Sequence, residues 1–139
     1  MAQTVRGLFV DTGGWLSLAD SRDPLHERAR AARDRWLEGG GILVSTDYVL
    51  DETLTLIRAR LGLASARRWW EEVDASSRVR WERIDPPRAR KALTVFFRWR
   101  DKPFSFTDCT SFSVMRELGL LRALTTDRHF RQAGFEIVP

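Results

Sequence analysis

One feature constrains this chain more than any other: short apolar runs alternate with longer stretches of helical spacing. Gly7 to Val10, Ile42 to Val44, Leu121 to Thr125 and Phe135 to Val138 are of strand length. The first two lack polar alternation, the pattern of strands buried on both faces. Val79 to Ile84 alternates apolar and charged residues and reads as an edge strand. Between these runs the apolar residues recur at helical intervals. Asp23-Pro24 is expected to open a helix with Asp23 at its N-cap and the stripe Leu25, Ala29, Ala32 and Trp36. After the second strand, Ser45, Thr46 or Asp47 can cap a helix with the stripe Leu50, Leu54, Ile57 and Leu61, ended by Gly62. Ala64 to Val73 is a further helix whose bulky face is Trp69, Trp70 and Val73. Pro86-Pro87 starts another, with Ala89, Ala92, Leu93, Phe96 and Phe97 inward. Asp108 to Leu118 carries Phe112, Met115 and Leu118 inward and is capped by Gly119. Strands alternating with helices predict an α/β fold: a mostly parallel sheet with helices on both faces. In such sheets ligands bind beyond the carboxyl ends of the strands.

The chain has 139 residues, expected to form a single domain spanning 1–139, with 43% hydrophobic residues to build its core. No apolar run approaches the roughly 18 residues of a membrane span, and the polar start, Met1 to Arg6, shows no signal peptide. The single cysteine, Cys109, excludes an internal disulfide and a cysteine-rich zinc site. These features predict a cytoplasmic protein. The net charge is +4, and only Lys91 and Lys102 among the 23 basic residues are lysines. Arginine suits bidentate phosphate contacts, although an arginine-rich composition also follows from a GC-rich genome.

Four acids fall where a site is expected. Asp11 follows the first strand, in a segment Asp11-Thr12-Gly13-Gly14 that reads as a turn. Glu52 lies early in the helix after the second strand. Asp108 opens a helix that runs down into the fourth strand. Asp127 lies just beyond the fourth strand and starts a short helix. All four are candidates for one rim of the sheet. A phosphodiester repels hydroxide, and a hard divalent cation held by carboxylates screens that charge and activates water. Packed together without a cation, four carboxylates would repel and partly protonate. Each also has an ordinary role: Asp108 and Asp127 as helix caps, Asp11 as a turn residue, Glu52 as a solvated helix residue. Periodicity alone does not choose between Asp51 and Glu52. His26 and His129 read as helix-surface residues, Cys109 as a small buried residue, and the Trp69-Trp70 pair as core or partner interface.

Val10-Asp11-Thr12, Val49-Leu50-Asp51-Glu52, Ser105-Phe106-Thr107-Asp108-Cys109 and Leu124-Thr125-Thr126-Asp127, followed by Phe130 to Phe135, resemble the motifs of the PIN-domain ribonucleases. The resemblance is greatest to the VapC toxins of VapBC toxin–antitoxin pairs, and it covers nearly the whole chain. It implies a three-layer α/β/α sandwich and a Mg²⁺- or Mn²⁺-dependent endoribonuclease that cleaves RNA with a metal-activated water, leaving 5′-phosphate and 3′-hydroxyl ends. It selects Glu52 over Asp51. By position it makes Asp11, Glu52, Asp108 and Asp127 both the catalytic and the metal-binding acids, with Asp127 acting through water. It makes Thr12, Ser105 and Thr125 supporting or phosphate-contacting hydroxyls. The expected partners are RNA, a VapB-like antitoxin and a second copy of the chain in a homodimer, with no membrane. Gly13 departs from the Ser or Asn common in the family. The alternatives are a PIN nuclease of RNA processing or decay, or a non-catalytic RNA- or protein-binding module of the same fold. Loss of cleavage in Asp11→Asn separates catalysis from binding.

Overall fold

A computed structural model describes residues 6–139 of the chain. Residues 1–5, which include most of the segment read as lacking a signal peptide, lie outside it. Five strands form one sheet in the order β3-β2-β1-β4-β5, and every pairing is parallel. The strands are β1 (Gly7–Val10), β2 (Ile42–Thr46), β3 (Val79–Glu82), β4 (Arg122–Leu124) and β5 (Glu136–Val138). The helices are α1 (Thr12–Ala19), α2 (His26–Glu38), α3 (Asp47–Leu61), α4 (Leu63–Ala75), α5 (Pro86–Arg98), α6 (Phe106–Leu118) and α7 (His129–Gln132). This is the three-layer α/β/α architecture expected. Every residue of β1 is buried, as its unbroken apolar run requires of a central strand. β3 is indeed an edge.

The core joins β1, β2 and β4 to the helices. Phe9, Phe112 and Phe130 are wholly buried, and the Phe112 and Phe130 rings meet edge to face at 5.0 Å. Burying one such ring contributes about 2–3 kcal/mol. A second aromatic group unites Trp15, Trp69 and Trp81 with centroids 5.5–6.3 Å apart. The Trp69-Trp70 pair therefore serves the core through Trp69, which is buried, and Trp70 packs partly buried beside it.

Several local expectations are corrected. Asp11-Thr12-Gly13-Gly14 is not a turn, because α1 begins at Thr12 with no intervening loop. Helix propensity argues against two glycines in a first turn, but the approach of α1 to β4 overrides it. A Cβ on Gly14 would lie 2.2 Å from the Leu124 carbonyl oxygen, and one on Gly13 would lie 2.3 Å from Thr126 Oγ1. Asp23 does not cap α2 in the expected register. Its carboxylate accepts from the Leu25 amide at 2.8 Å, and the helix starts two residues after Pro24.

On α5 the expected inward face is too wide. Ala92 is buried and Val95 packs against the core, whereas Leu93, Phe96 and Phe97 are 41%, 37% and 72% exposed. On α3 the fully buried ridge is Val49, Thr53 and Ile57, with Leu50, Leu54 and Leu61 packed beside it. His26 is no surface residue: its ring is mostly covered, and Nδ1 lies 2.8 Å from the Ser17 carbonyl, tying α2 to α1.

Candidate active site at the junction of β1 and β4

The chain runs from β1 to β2 on one side and later places β4 on the other side of β1. The strand order therefore reverses between β1 and β4, and a crevice opens beyond their carboxyl ends. Asp11 leaves β1 there and Thr125 to Asp127 leave β4. The Asp11 amide donates to the Leu124 carbonyl at 3.1 Å, which fixes the two strand ends against each other.

Asp11 occupies the N-cap position of α1, yet its carboxylate makes no capping bond. It receives the Thr125 hydroxyl instead, at 3.2 Å from Oδ2. The ordinary role for an aspartate at a helix start is thus refused here. The group is 5% exposed. Burial is the main reason its pKa is pushed up to about 7, and the charges of Asp108 and Glu52 push further while the Thr12 amide and Thr125 hydroxyl pull back.

Asp108 is the third residue of α6 rather than its first, because Ser105 caps that helix. The two residues form a reciprocal box: Ser105 Oγ accepts from the Asp108 amide at 2.9 Å, and Asp108 Oδ2 accepts from the Ser105 amide at 3.1 Å. The capping role is therefore real for one oxygen of Asp108, and the other is left over. Burial raises the Asp108 pKa first; the Ser105 amide opposes this and the Asp127 charge adds to it.

Asp127 also has a local task, since its Oδ1 accepts from the His129 amide at 2.9 Å. It does not start α7, which begins at His129. Thr125 Oγ1 accepts from the Asp127 amide at 2.9 Å while donating to Asp11, so one hydroxyl joins both acids. Thr12 is buried and its hydroxyl lies 3.5 Å from that of Thr53. Glu52 is exposed and sits in the second turn of α3, not the first. The buried ridge of α3 bears on the choice that periodicity left open. Glu52 lies about 100° round the helix from buried Thr53, and Asp51 about 200°, on the far side.

The tightest cluster is Asp108, Asp127 and His129, each offering a ligand atom within 4.8 Å of the others. Asp11 and Glu52 stand outside that triangle and couple to the site through charge, Asp11 feeling both Asp108 and Glu52. His129, read from sequence as a surface residue, is the one that sequence reasoning missed. Its ring packs on Phe104 at 5.5 Å and faces both carboxylates. The signal for it was the spacing Asp127-Arg128-His129, which sets a side chain beside the acid that caps its own amide. Cys109 is buried, and burial first and the Asp108 charge next push its thiol up to about 11, so it is no nucleophile at neutral pH.

The donor set suits a hard divalent cation. It consists of carboxylates, and the two buried ones, Asp11 and Asp108, are pushed toward their protonated forms by burial and by neighbouring acid charges.

A family model described as PIN domain matches residues 8–136. The chain is a PIN-domain protein of the VapC group. It is 32% identical over 128 residues to the 23S rRNA-specific endonuclease VapC20 of Mycobacterium tuberculosis, covering 92% of this chain and 95% of that protein. It is 33% identical over 124 residues to a VapC ribonuclease of Archaeoglobus fulgidus, covering 88% of this chain and 78% of that one. The crystal structure of M. tuberculosis VapC20, described as a sarcin–ricin loop cleaving toxin, superposes with a TM-score of 0.82 at 31% identity, covering 95% of this chain and 99% of that one. The resemblance inferred from four short motifs is thereby borne out, as is the PIN fold. Among the described residues of this PIN domain, no helix is long and apolar enough to cross a membrane.

Proposed function

We propose that this PIN domain is a Mg²⁺- or Mn²⁺-dependent endoribonuclease acting as the toxin of a type II toxin–antitoxin pair. One observation carries the reading: at the sheet's reversal point a buried aspartate, Asp11, is excluded from helix capping and sits among other acids with its pKa pushed up to about 7. A buried carboxylate among other acids costs the fold stability, and a bound cation would relieve that cost.

Asp11, Asp108, Asp127 and Glu52 would hold the cation, each through oxygens not spent on local bonds. The bound ion supplies charge screening at the phosphate and a water of lowered pKa. The chain's own residues do the rest. Thr125 holds Asp11 and Asp127 in fixed relation. Ser105 fixes Asp108 through the capping box, its oxygen accepting from the Asp108 amide, which leaves its O–H free to donate to a phosphate. Surface arginines, in a chain of net charge +4, draw in the RNA backbone.

The exposed face of α5, Leu93, Phe96 and Phe97, is the surface through which two copies would pair, and a VapB-like antitoxin would silence the site. The similar VapC20 is described as acting on 23S rRNA at the sarcin–ricin loop, so a structured rRNA loop is the substrate class to try first. The test is cleavage of such an RNA with Mn²⁺ by wild type and by Asp11→Asn. Cleavage leaving 5′-phosphate and 3′-hydroxyl ends, abolished in the variant, is the expected result. Equal activity in the two overturns the assignment.

A further inference from the structure

His129 Nδ1 lies 3.1 Å from Asp127 Oδ1 and 3.4 Å from Asp108 Oδ2. The nitrogen is fully buried, yet it makes no hydrogen bond of good geometry to either oxygen. It lies between the two, straight at neither. A buried ring nitrogen without a partner is costly unless the site uses it.

The surroundings say how. The backbone amide of His129 already donates to Asp127 Oδ1, and the Ser105 amide already donates to Asp108 Oδ2. The two oxygens facing the ring are therefore the engaged ones, and the second oxygen of each carboxylate remains for a cation. The ring cannot swing away easily, because its edge packs on Phe104 at 5.5 Å, with the planes 73° apart. A neutral imidazole with its proton on Nδ1 suffices to place a donor between two carboxylates that would otherwise repel.

We propose that His129 is a positioning residue of the metal site, holding the Asp108 and Asp127 carboxylates together as one chelating pair with their free oxygens turned to the ion. Local cap bonds fix each acid to its own turn, and His129 fixes the two turns to each other. The inference rests on the nuclease reading for the presence of a cation. It adds a residue, contributed by α7, that acts through the ligands without being one.

The experiment is a calorimetric titration of the full, EDTA-stripped chain with Mn²⁺, joined to pulsed EPR of the bound ion. His129→Phe keeps ring bulk against Phe104 and removes the donor. His129→Asn sets an amide nitrogen near the place of Nδ1. His129→Phe is expected to weaken Mn²⁺ binding by about 10- to 100-fold, the size of effect an outer-sphere partner exerts. His129→Asn should restore most of the affinity, and cleavage by His129→Phe should return as Mn²⁺ is raised. The bound ion should show no nitrogen coupling from the ring. Unchanged affinity in His129→Phe, or an equal loss in both folded variants, overturns the proposal. So does nitrogen coupling in the wild type, which makes His129 a ligand. A wild type that cleaves RNA and binds Mn²⁺ no better than His129→Phe sinks this inference alone. A wild type that binds no Mn²⁺ sinks the nuclease reading with it.

Discussion

Removing the charge of Asp11 should stabilise the protein while abolishing its activity. The Asp11 carboxyl sits at about 7 in the folded chain against an ordinary 3.8. At about 1.4 kcal/mol per tenfold, holding the anion in the folded state costs about 4 kcal/mol above pH 7. The cost is real because the group is 5% exposed, with little water to relieve it. Between 3.8 and about 7 the folded state binds the proton that the unfolded chain releases. Stability therefore falls as pH rises through that window and levels off above it. Asn is neutral throughout. It keeps the shape but weakens the hydrogen bonds from the Thr12 amide and Thr125 hydroxyl, which returns about 1–2 kcal/mol of the gain.

The net expectation for Asp11→Asn is about 2–3 kcal/mol of added stability at pH 8 with EDTA, or about 5–10 °C in Tm for a domain of this size. At pH 4 the advantage should vanish. Mn²⁺ at about a thousand times its Kd should reverse the order, since a ligand at that level adds about 4.1 kcal/mol to a protein that binds it, and Asp11→Asn is expected to bind it poorly. The assay is urea unfolding of both proteins from pH 4 to pH 8, with and without metal. A variant less stable than wild type at pH 8 in EDTA refutes the reasoning, as does an advantage that does not change with pH.

Three further outcomes follow from the same geometry. Thr125→Val removes the hydroxyl that donates to Asp11 and accepts from the Asp127 amide; Mn²⁺ affinity measured by calorimetry should fall about tenfold or more. Gly14→Ala would set a Cβ 2.2 Å from the Leu124 carbonyl oxygen, a backbone contact that cannot yield as a side chain would; urea unfolding should register a loss of about 1–3 kcal/mol, with cleavage lost in parallel as α1 shifts from β4. Phe97→Glu alters a residue 72% exposed on α5; stability of the monomer should change by no more than about 0.5 kcal/mol, while sedimentation should show wild-type dimers replaced by monomers.

The sheet and its order of elements were legible because apolar runs of strand length have few other uses in a chain of this kind. What the sequence did not show were the places where one element presses on another. The Gly13-Gly14 pair is a turn signal by propensity, and it is a close contact between α1 and β4 in fact. The five apolar residues of α5 fit one helical face on paper, but only Ala92 is fully buried, so periodicity alone overstates the core on a helix that packs through one narrow edge. On α3 a threonine, Thr53, is more deeply buried than the leucines beside it. A hydropathy stripe cannot anticipate that, since the burial of Thr53 accompanies a hydroxyl contact to Thr12.

The acids illustrate a different limit. Capping is the common use of an aspartate at a helix start; Asp108 spends one oxygen in the capping box of α6, and Asp127 spends one on the amide two residues on, in the turn before α7. The ordinary role and the proposed one are thus compatible, because a carboxylate has two oxygens and the local turn engages only one. Asp11 differs in having no capping bond at all. Its deep burial, with the charges of Asp108 and Glu52 nearby, is why its own charge is costly and why a counter-ion would change its state. Three of the elements that deliver the acids, β1, α6 and the segment after β4, meet where the strand order reverses. A rearrangement that moves β4 against β1 would therefore separate Asp11 from Thr125 and Asp127 together, so the core packing of Phe9, Phe112 and Phe130 sets the geometry of a site whose residues lie far apart in the chain.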